Sequence, residues 1–368
     1  MIGMAERVPL PDLVVRTAIA RMCARTATAL SEPASAAAAD FAAATARRNI
    51  AECTEKPNIQ HYEVPAAFFG HVLGPKRKYS CCYYNSPQST LEDAETEALK
   101  QTIERAGLDD GQSILELGCG WGALSLRIAR QFPASIVTAV SNSQSQRAHI
   151  EHEAATTGLH NLRVITADMN EFAPDAMFDR IVSVEMFEHM MNWRELLKRI
   201  RSWLAPEGAL FLHIFSHRSG CYVFDHANCE DWIARHFFTG GVMPSHDLIW
   251  QYADLLRVKE AWRWNGLHYQ RTALDWLARF DRNRDAVANI LRGVYGKDTE
   301  LWMRRWRWFF LATAGLFGFA GGSEWGISHF RLKPTERTGR VIQPRFFPFR
   351  RRSHSKARAK ATELELRE

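Results

Sequence analysis

The stretch Ile114-Leu115-Glu116-Leu117-Gly118-Cys119-Gly120-Trp121-Gly122 constrains the chain more than any other. An apolar run of strand character ends in three alternating glycines. Such glycines let a backbone leave a sheet, turn sharply into a helix and hold a ligand against bare peptide. A nucleotide-type site is expected there. As Gly118-x-Gly120-x-x-Ala123 the turn fits a dinucleotide fingerprint, but that fingerprint needs an acid about 20 residues on to hold a ribose hydroxyl. The next apolar run, 136–140, leads instead into Ser141-Asn142-Ser143-Gln144-Ser145-Gln146, where no carboxylate stands.

The pattern around this turn sets the fold class. Apolar runs of strand length over 113–117, 135–140, 162–167, 179–184 and 209–215 alternate with helical segments over 123–131, 143–157 and 193–204. Alternation of this kind implies an α/β fold, a Rossmann-like parallel sheet with helices on both faces. Ligands of such sheets bind at the carboxyl ends of the strands, where Gly118 lies. After residue 215 the alternation stops. Residues 221–254 are aromatic and contain Gly240, Gly241 and Pro244, which suggests an insertion, about 216–266, folded over the site as a lid. A strand over 257–264, a helix over 271–292, a buried apolar helix over 309–322 and a last strand over 327–332 complete the reading. The apolar run 309–322 is too short to span a bilayer.

Upstream, residues 1–57 are rich in Ala and Arg, with Val14, Ala18, Ile19, Met22 and Cys23 at helical spacing, and read as a helical N-terminal extension. No apolar core follows a basic start, so export is not expected. Glu6, Asp12, Glu32 and Asp40 argue against an organellar transit peptide. Seven cysteines without a Cys-x-x-Cys pair make a disulfide framework or a zinc site unexpected and point to a reducing, cytoplasmic setting, with no metal. Residues 58–110 hold two polar and aromatic groups ahead of a helix over 91–106 and read as a segment covering the site.

The net charge of +6 is unevenly placed. From Arg331 onward 12 Lys and Arg face 4 acids, a net +8 that leaves the preceding 330 residues at −2. A near-neutral body argues against nucleic acid as partner. The basic tail, 334–368, reads as a disordered extension, with peripheral contact to an anionic membrane as the alternative.

Several motifs together resemble one family. Glu116 before the glycines gives the acid-x-Gly-x-Gly-x-Gly order of S-adenosylmethionine (SAM) methyltransferases. Gln60-His61-Tyr62-Glu63-Val64-Pro65, Lys78-Tyr79-Ser80-Cys81-Cys82-Tyr83, Ser183-Val184-Glu185-Met186-Phe187-Glu188-His189-Met190, Phe237-Phe238-Thr239-Gly240-Gly241 and Asn265-Gly266-Leu267-His268-Tyr269 are similar to the cyclopropane fatty-acyl-phospholipid synthase superfamily, more closely to its coclaurine-type N-methyltransferases. The resemblance implies a class I methyltransferase domain over 111–333. It also implies SAM as cofactor, with Tyr79 and Ser80 on the methionine portion, Glu116 near its ammonium group and Gly118 and Gly120 beneath it. Ser141, Asn142 and Gln146 would take the ribose side, and Asp168 and Met169 would lie near the adenine.

The acceptor is the open choice. An amine reaches such a site largely protonated and must lose that proton to expose a lone pair. Glu185, Glu188 and His189, spaced by three and four, are expected on one face of a helical turn, where carboxylates hold the cation and, with the imidazole, take its proton. By resemblance, Cys81, Glu188, His213 and Tyr269 match positions that hold a bicarbonate-like ion in the lipid-acting cyclopropane synthases. Those relatives tend to have glycine at position 185. Glu185 therefore favours a small amine over an unsaturated acyl chain, since an unpaired second carboxylate is costly and a cation offsets it. Trp232, Phe237, Phe238 and Trp264 are candidates for holding a flat cationic ring. The sequence leaves the oligomeric state open.

Overall fold

The computed structural model describes residues 5–31, 34–52, 64–228 and 231–336. Both Gln60-His61-Tyr62-Glu63 and the basic tail from residue 337 fall outside the described residues. Helices precede the sheet: α1 (Asp12–Ala29), α2 (Ala34–Thr45), α3 (Ala66–Val72) and α4 (Leu91–Ala106). Helix α4 has strong local signals at both ends. Thr90 and Asp93 cap each other's backbone N–H groups at the start, and Gly107 takes the left-handed conformation at the close.

The sheet then alternates as β1 (Ser113–Leu117), α5 (Ala123–Gln131), β2 (Ile136–Ser141), α6 (Gln144–Thr156), β3 (Leu162–Thr166), β4 (Phe178–Val184), α7 (Trp193–Trp203) and β5 (Leu204–His217). Strand order is β3-β2-β1-β4-β5-β9-β8. The first five strands run parallel, and β9 (Trp325–Pro334) enters antiparallel between β5 and β8 (Leu256–Asn265). The chain reverses its direction of travel across the sheet between β1 and β4, which opens the crevice beside Gly118.

Period-two alternation sends side chains to both faces. Ile114, Val182 and Phe211 pack with Leu99 and Ile103 of α4 and Leu124 and Ile128 of α5. Leu115, Leu117, Ile181, Leu210 and Leu212 pack on the opposite face with Leu196, Leu197 and Ile200 of α7. The apolar stripe of α7 thus explains its burial, and Asn192 starts it by accepting the Glu195 N–H at 3.0 Å.

Between β5 and β8 lie the short hairpin β6 (Tyr222–Val223) and β7 (Val242–Met243) and the helix α8 (Trp232–His236). The stretch expected as a lid therefore ends in β8, a strand of the main sheet. The helix expected over 271–292 is two helices, α9 (Leu267–Arg282) and α10 (Arg284–Tyr295). Asn283 separates them, its N–H closing on Arg279 and its side chain donating to the His71 carbonyl at 2.9 Å. The last helix, α11 (Thr299–Gly318), starts ten residues before the apolar run that announced it and stops short of 322. Its first turns carry Arg304, Arg305 and Arg307, which break the apolar pattern because they bind the N-terminal segment. Arg305 pairs with the Glu6 carboxylate at 2.7 Å, Arg304 donates to the Glu6 carbonyl at 2.9 Å, and Arg307 pairs with Asp12. No helix among the described residues is long and apolar enough to cross a membrane.

Candidate active site

A cavity of about 620 Å³ runs from the glycine turn to the inserted hairpin. At its nucleotide end, β1 hands over to α5. The N–H groups of Gly118 and Cys119 both donate to the Val140 carbonyl at 2.9 Å, which ties the turn to β2. Gly118 has φ +80 and no room for a Cβ, which would meet Met186 at 2.6 Å. Gly120, at φ +51, has nothing within 4 Å of a Cβ position, so its bare backbone borders open space. Tyr79, Ser80, Glu116, Gly118, Gly120, Ser141, Asn142, Gln146, Asp168 and Met169 all line this cavity.

Their chemistry fits a SAM-like ligand. The Ser141 hydroxyl donates to Gln146 Oε1 at 2.6 Å and orients the amide, whose buried Nε2 has no partner and is left to donate. Tyr79 is wedged between Phe69 and Trp276, with ring centroids 5.1 and 5.5 Å away. Glu116 is more constrained than a free ammonium partner would be. Burial pushes its pKa up to about 7, and one carboxylate oxygen accepts from the Ser125 hydroxyl at the start of α5.

At the other end Glu185 follows β4. Its N–H still pairs with the His213 carbonyl at 2.8 Å, and its φ of +47 then swings the side chain away from the sheet. Three donors meet the carboxylate: the Cys81 N–H at 2.8 Å and His213 Nε2 at 3.1 Å on Oε1, and the Tyr269 hydroxyl at 2.7 Å on Oε2. Burial raises the Glu185 pKa, against the pull of the Lys78 ammonium and of the Cys81 and Tyr269 hydrogen bonds. Burial and the facing Glu185 carboxylate keep Tyr269 protonated, as a donor must be.

Glu185, Glu188 and His189 do not share one face as their spacing suggested. The left-handed backbone at Glu185 and a single 3-10 turn over Phe187–His189 replace the expected helical turn. Glu188 faces inward, fully buried, with Oε1 accepting the Phe215 N–H at 2.6 Å and Oε2 unpartnered. Burial and the neighbouring Glu185 push its pKa well above the usual carboxylate range, so it is a neutral acid. His189 lines the cavity beside Phe238, ring centroids 4.4 Å apart, and burial lowers its pKa to about 4, leaving a neutral imidazole. Cys81 contributes its backbone N–H; its thiol faces the Cys82 carbonyl at 3.3 Å. Of the four candidate aromatics, Trp232 and Phe238 line the cavity, whereas Phe237 and Trp264 are core.

Sequence reasoning missed two parts of the wall. Lys78, 3% exposed, lines the cavity and donates from Nζ to Ser80 Oγ and to the Cys81 carbonyl, each at 2.6 Å. It stood inside a recognised motif without a chemical role. Val14, Ala18, Ile19 and Met22 of α1 and Phe309, Thr313 and Leu316 of α11 close the apolar end. The helical spacing in α1 was visible, but nothing local says what its apolar face covers. Among the described residues no group of three His, Cys, Asp or Glu side chains could hold a metal ion.

Comparison with known proteins gives the family. The family described as mycolic acid cyclopropane synthetase matches residues 51–318. The (S)-coclaurine N-methyltransferase of Thalictrum flavum subsp. glaucum is 37% identical over 279 residues, 74% of this chain and 77% of that protein. The cyclopropane-fatty-acyl-phospholipid synthase of Escherichia coli (strain K12) is 29% identical over 260 residues, 70% of this chain and 63% of that protein. The crystal structure of coclaurine N-methyltransferase bound to N-methylheliamine and SAH matches with a TM-score of 0.85 at 33% identity, covering 88% of this chain and 96% of that one. With its crevice, its glycine turn and these relatives in hand, the chain belongs to the mycolic acid cyclopropane synthetase family of SAM-dependent methyltransferases, as a relative of the coclaurine N-methyltransferases.

Proposed function

We propose that the protein transfers the methyl group of SAM to the nitrogen of a small amine. The observation that carries this reading is the Glu185 carboxylate, presented to the cavity by three hydrogen-bond donors. A fixed negative group on a mostly apolar wall attracts a cation and offers nothing to a hydrocarbon double bond. Its raised pKa suits it to take the ammonium proton, and His189 lines the same cavity as a neutral ring. Gly118, Gly120, Ser141, Asn142, Gln146, Asp168 and Met169 would hold SAM, with Tyr79, Ser80 and Glu116 at its methionine end. When bound, SAM supplies an electrophilic methyl group, and the chain's part is to hold the acceptor nitrogen in line and deprotonated.

The same contacts bear on bicarbonate. Cys81, His213 and Tyr269, three of the four positions matched to the ion site of the cyclopropane synthases, here point at Glu185. We infer that the chain carries its own carboxylate where those enzymes bind an ion, and that bicarbonate is not required. The name of one relative and the bound ligand of another suggest the assay. Heliamine and (S)-coclaurine, offered with SAM in bicarbonate-free buffer, should both be tested. Turnover of either supports an amine acceptor, and methylation of an unsaturated phospholipid with neither amine consumed contradicts it.

Contact with an anionic membrane and a cytoplasmic location stay within this proposal. Leu13, 77% exposed, shares α1 with Arg16, Arg21 and Arg25, and the tail adds its own positive charge. Co-sedimentation with anionic liposomes, and its absence with neutral ones, is the expected result.

A further inference from the structure

Behind Glu185, His213 leads on to two polar groups that have no part in the site described so far. His329, in the middle of β9, is fully buried. Its Nε2 lies 2.9 Å from His213 Nδ1, and its Nδ1 lies 2.6 Å from Arg105 Nη1. His213 Nε2 in turn meets Glu185 Oε1 at 3.1 Å. The direction of each bond follows from the first. A guanidinium has donors only, so Arg105 donates and His329 Nδ1 is bare. The proton of a neutral His329 then sits on Nε2 and is donated to His213 Nδ1. That leaves the His213 proton on Nε2, donated to the Glu185 carboxylate. Both imidazoles are neutral, because burial and the positive charges of Arg105 and Lys78 hold their pKa values well below the ordinary histidine value. Arg105 is itself fixed, its guanidinium carbon 5.3 Å from the Trp262 ring and 5.5 Å from the Trp264 ring.

We propose that Arg105 and His329 are positioning residues of the methyl-transfer site, which impose through His213 the tautomer that donates to Glu185. The proposal rests on the reading of Glu185 as the group that receives the amine. Without the donation from His329, His213 can move its proton to Nδ1 and present a bare Nε2 to the carboxylate. Two acceptors then face each other in that form, and the contact returns only as His213 takes its proton back to Nε2 or as Glu185 takes up one of its own, so the charged carboxylate loses part of its stabilisation. Losing either residue therefore raises the pKa of Glu185.

The other groups that act on Glu185 are Lys78 and Cys81 from the segment before α4, Glu188 and His189 from the turn after β4, and Tyr269 from α9; Tyr83, Glu97 and Glu104 act on Arg105. None of these is altered by the test, so their contribution is common to all variants.

The test titrates the Glu185 carboxyl in the full-length protein by infrared difference spectroscopy, its band identified by loss in Glu185→Gln. His329→Phe keeps a ring against Phe211 and Trp264 but removes both nitrogens. Arg105→Met removes the charge at a half-buried position and carries the test if His329→Phe does not fold. Both are expected to move the titration upward by about one unit, with a roughly tenfold loss of kcat/KM for heliamine at pH values below that limb. His329→Gln, whose amide can accept from Arg105 and donate to His213, should return both readouts toward wild type. SAH affinity should be unchanged throughout. A folded His329→Phe or Arg105→Met that titrates like wild type overturns the proposal. If Glu185→Gln keeps full amine turnover, the functional reading of Glu185 fails instead, whatever the titration shows.

Discussion

Replacing Glu185 by glycine separates the backbone's needs from the chemistry. The residue sits at φ +47, a conformation that costs an L-residue roughly 1 kcal/mol or more and glycine nothing, so Glu185→Gly regains at the backbone part of what it loses by leaving three donors unpaired. What it removes is the carboxylate held at 2.8, 3.1 and 2.7 Å by Cys81 N–H, His213 Nε2 and Tyr269 Oη. General-base assistance is worth about 10²- to 10⁴-fold, or about 3–5 kcal/mol of barrier. Amine kcat/KM should therefore fall by about 100-fold or more, with little change in SAH affinity. The three donors would then converge on the space the carboxylate filled, so added bicarbonate or formate should restore part of the rate. The assay follows methyl-labelled SAM into heliamine in bicarbonate-free buffer, before and after adding each anion. Unchanged amine turnover in the unsupplemented variant would refute the reasoning.

Other perturbations address separate links. Burial lifts the Glu188 pKa above its unfolded value near 4.5, so the stability of its neutral form is complete below that value and lost as pH rises through the folded pKa. Glu188→Gln, which still accepts from Phe215 N–H, should lose less thermal stability than wild type as pH rises above about 4.5; parallel decline of the two proteins would contradict this. Glu188→Ala should cost about 1–3 kcal/mol by leaving that N–H unsatisfied, read as the unfolding midpoint in urea. Gln146→Leu, which removes the free Nε2 donor, should weaken SAH binding roughly threefold to tenfold by calorimetry. Glu6→Ala strands Arg305 and the Trp232 indole N–H, which donate to Glu6 at 2.7 and 2.8 Å, and should expose the N-terminal segment to trypsin before the rest unfolds. Cleavage at the wild-type rate would remove the latch assigned to Glu6.

The sheet was readable because its signals are local. Strand β1, helix α4 and helix α5 lie where apolar periodicity and end signals put them. The helix boundaries that shifted did so through tertiary partners: Asn283 binds the His71 carbonyl, and the arginines of α11 bind Glu6 and Asp12. At the site, residue types were legible and directions were not. Spacing placed Glu188 and Glu185 on one helical face, but a left-handed backbone at Glu185 and the Phe215 N–H give the two carboxylates separate sets of partners. Lys78 stood in a motif that gave it no chemical role, and Arg105 and His329 carried no motif, since their partners lie on other elements.

The most direct measurement gives the protein methyl-labelled SAM together with a total lipid extract and, separately, an extract of small cationic metabolites. The account predicts label in the aqueous amine fraction, lost in Glu185→Gln. Label confined to the chloroform phase, or amine labelling that survives in that variant, would contradict it.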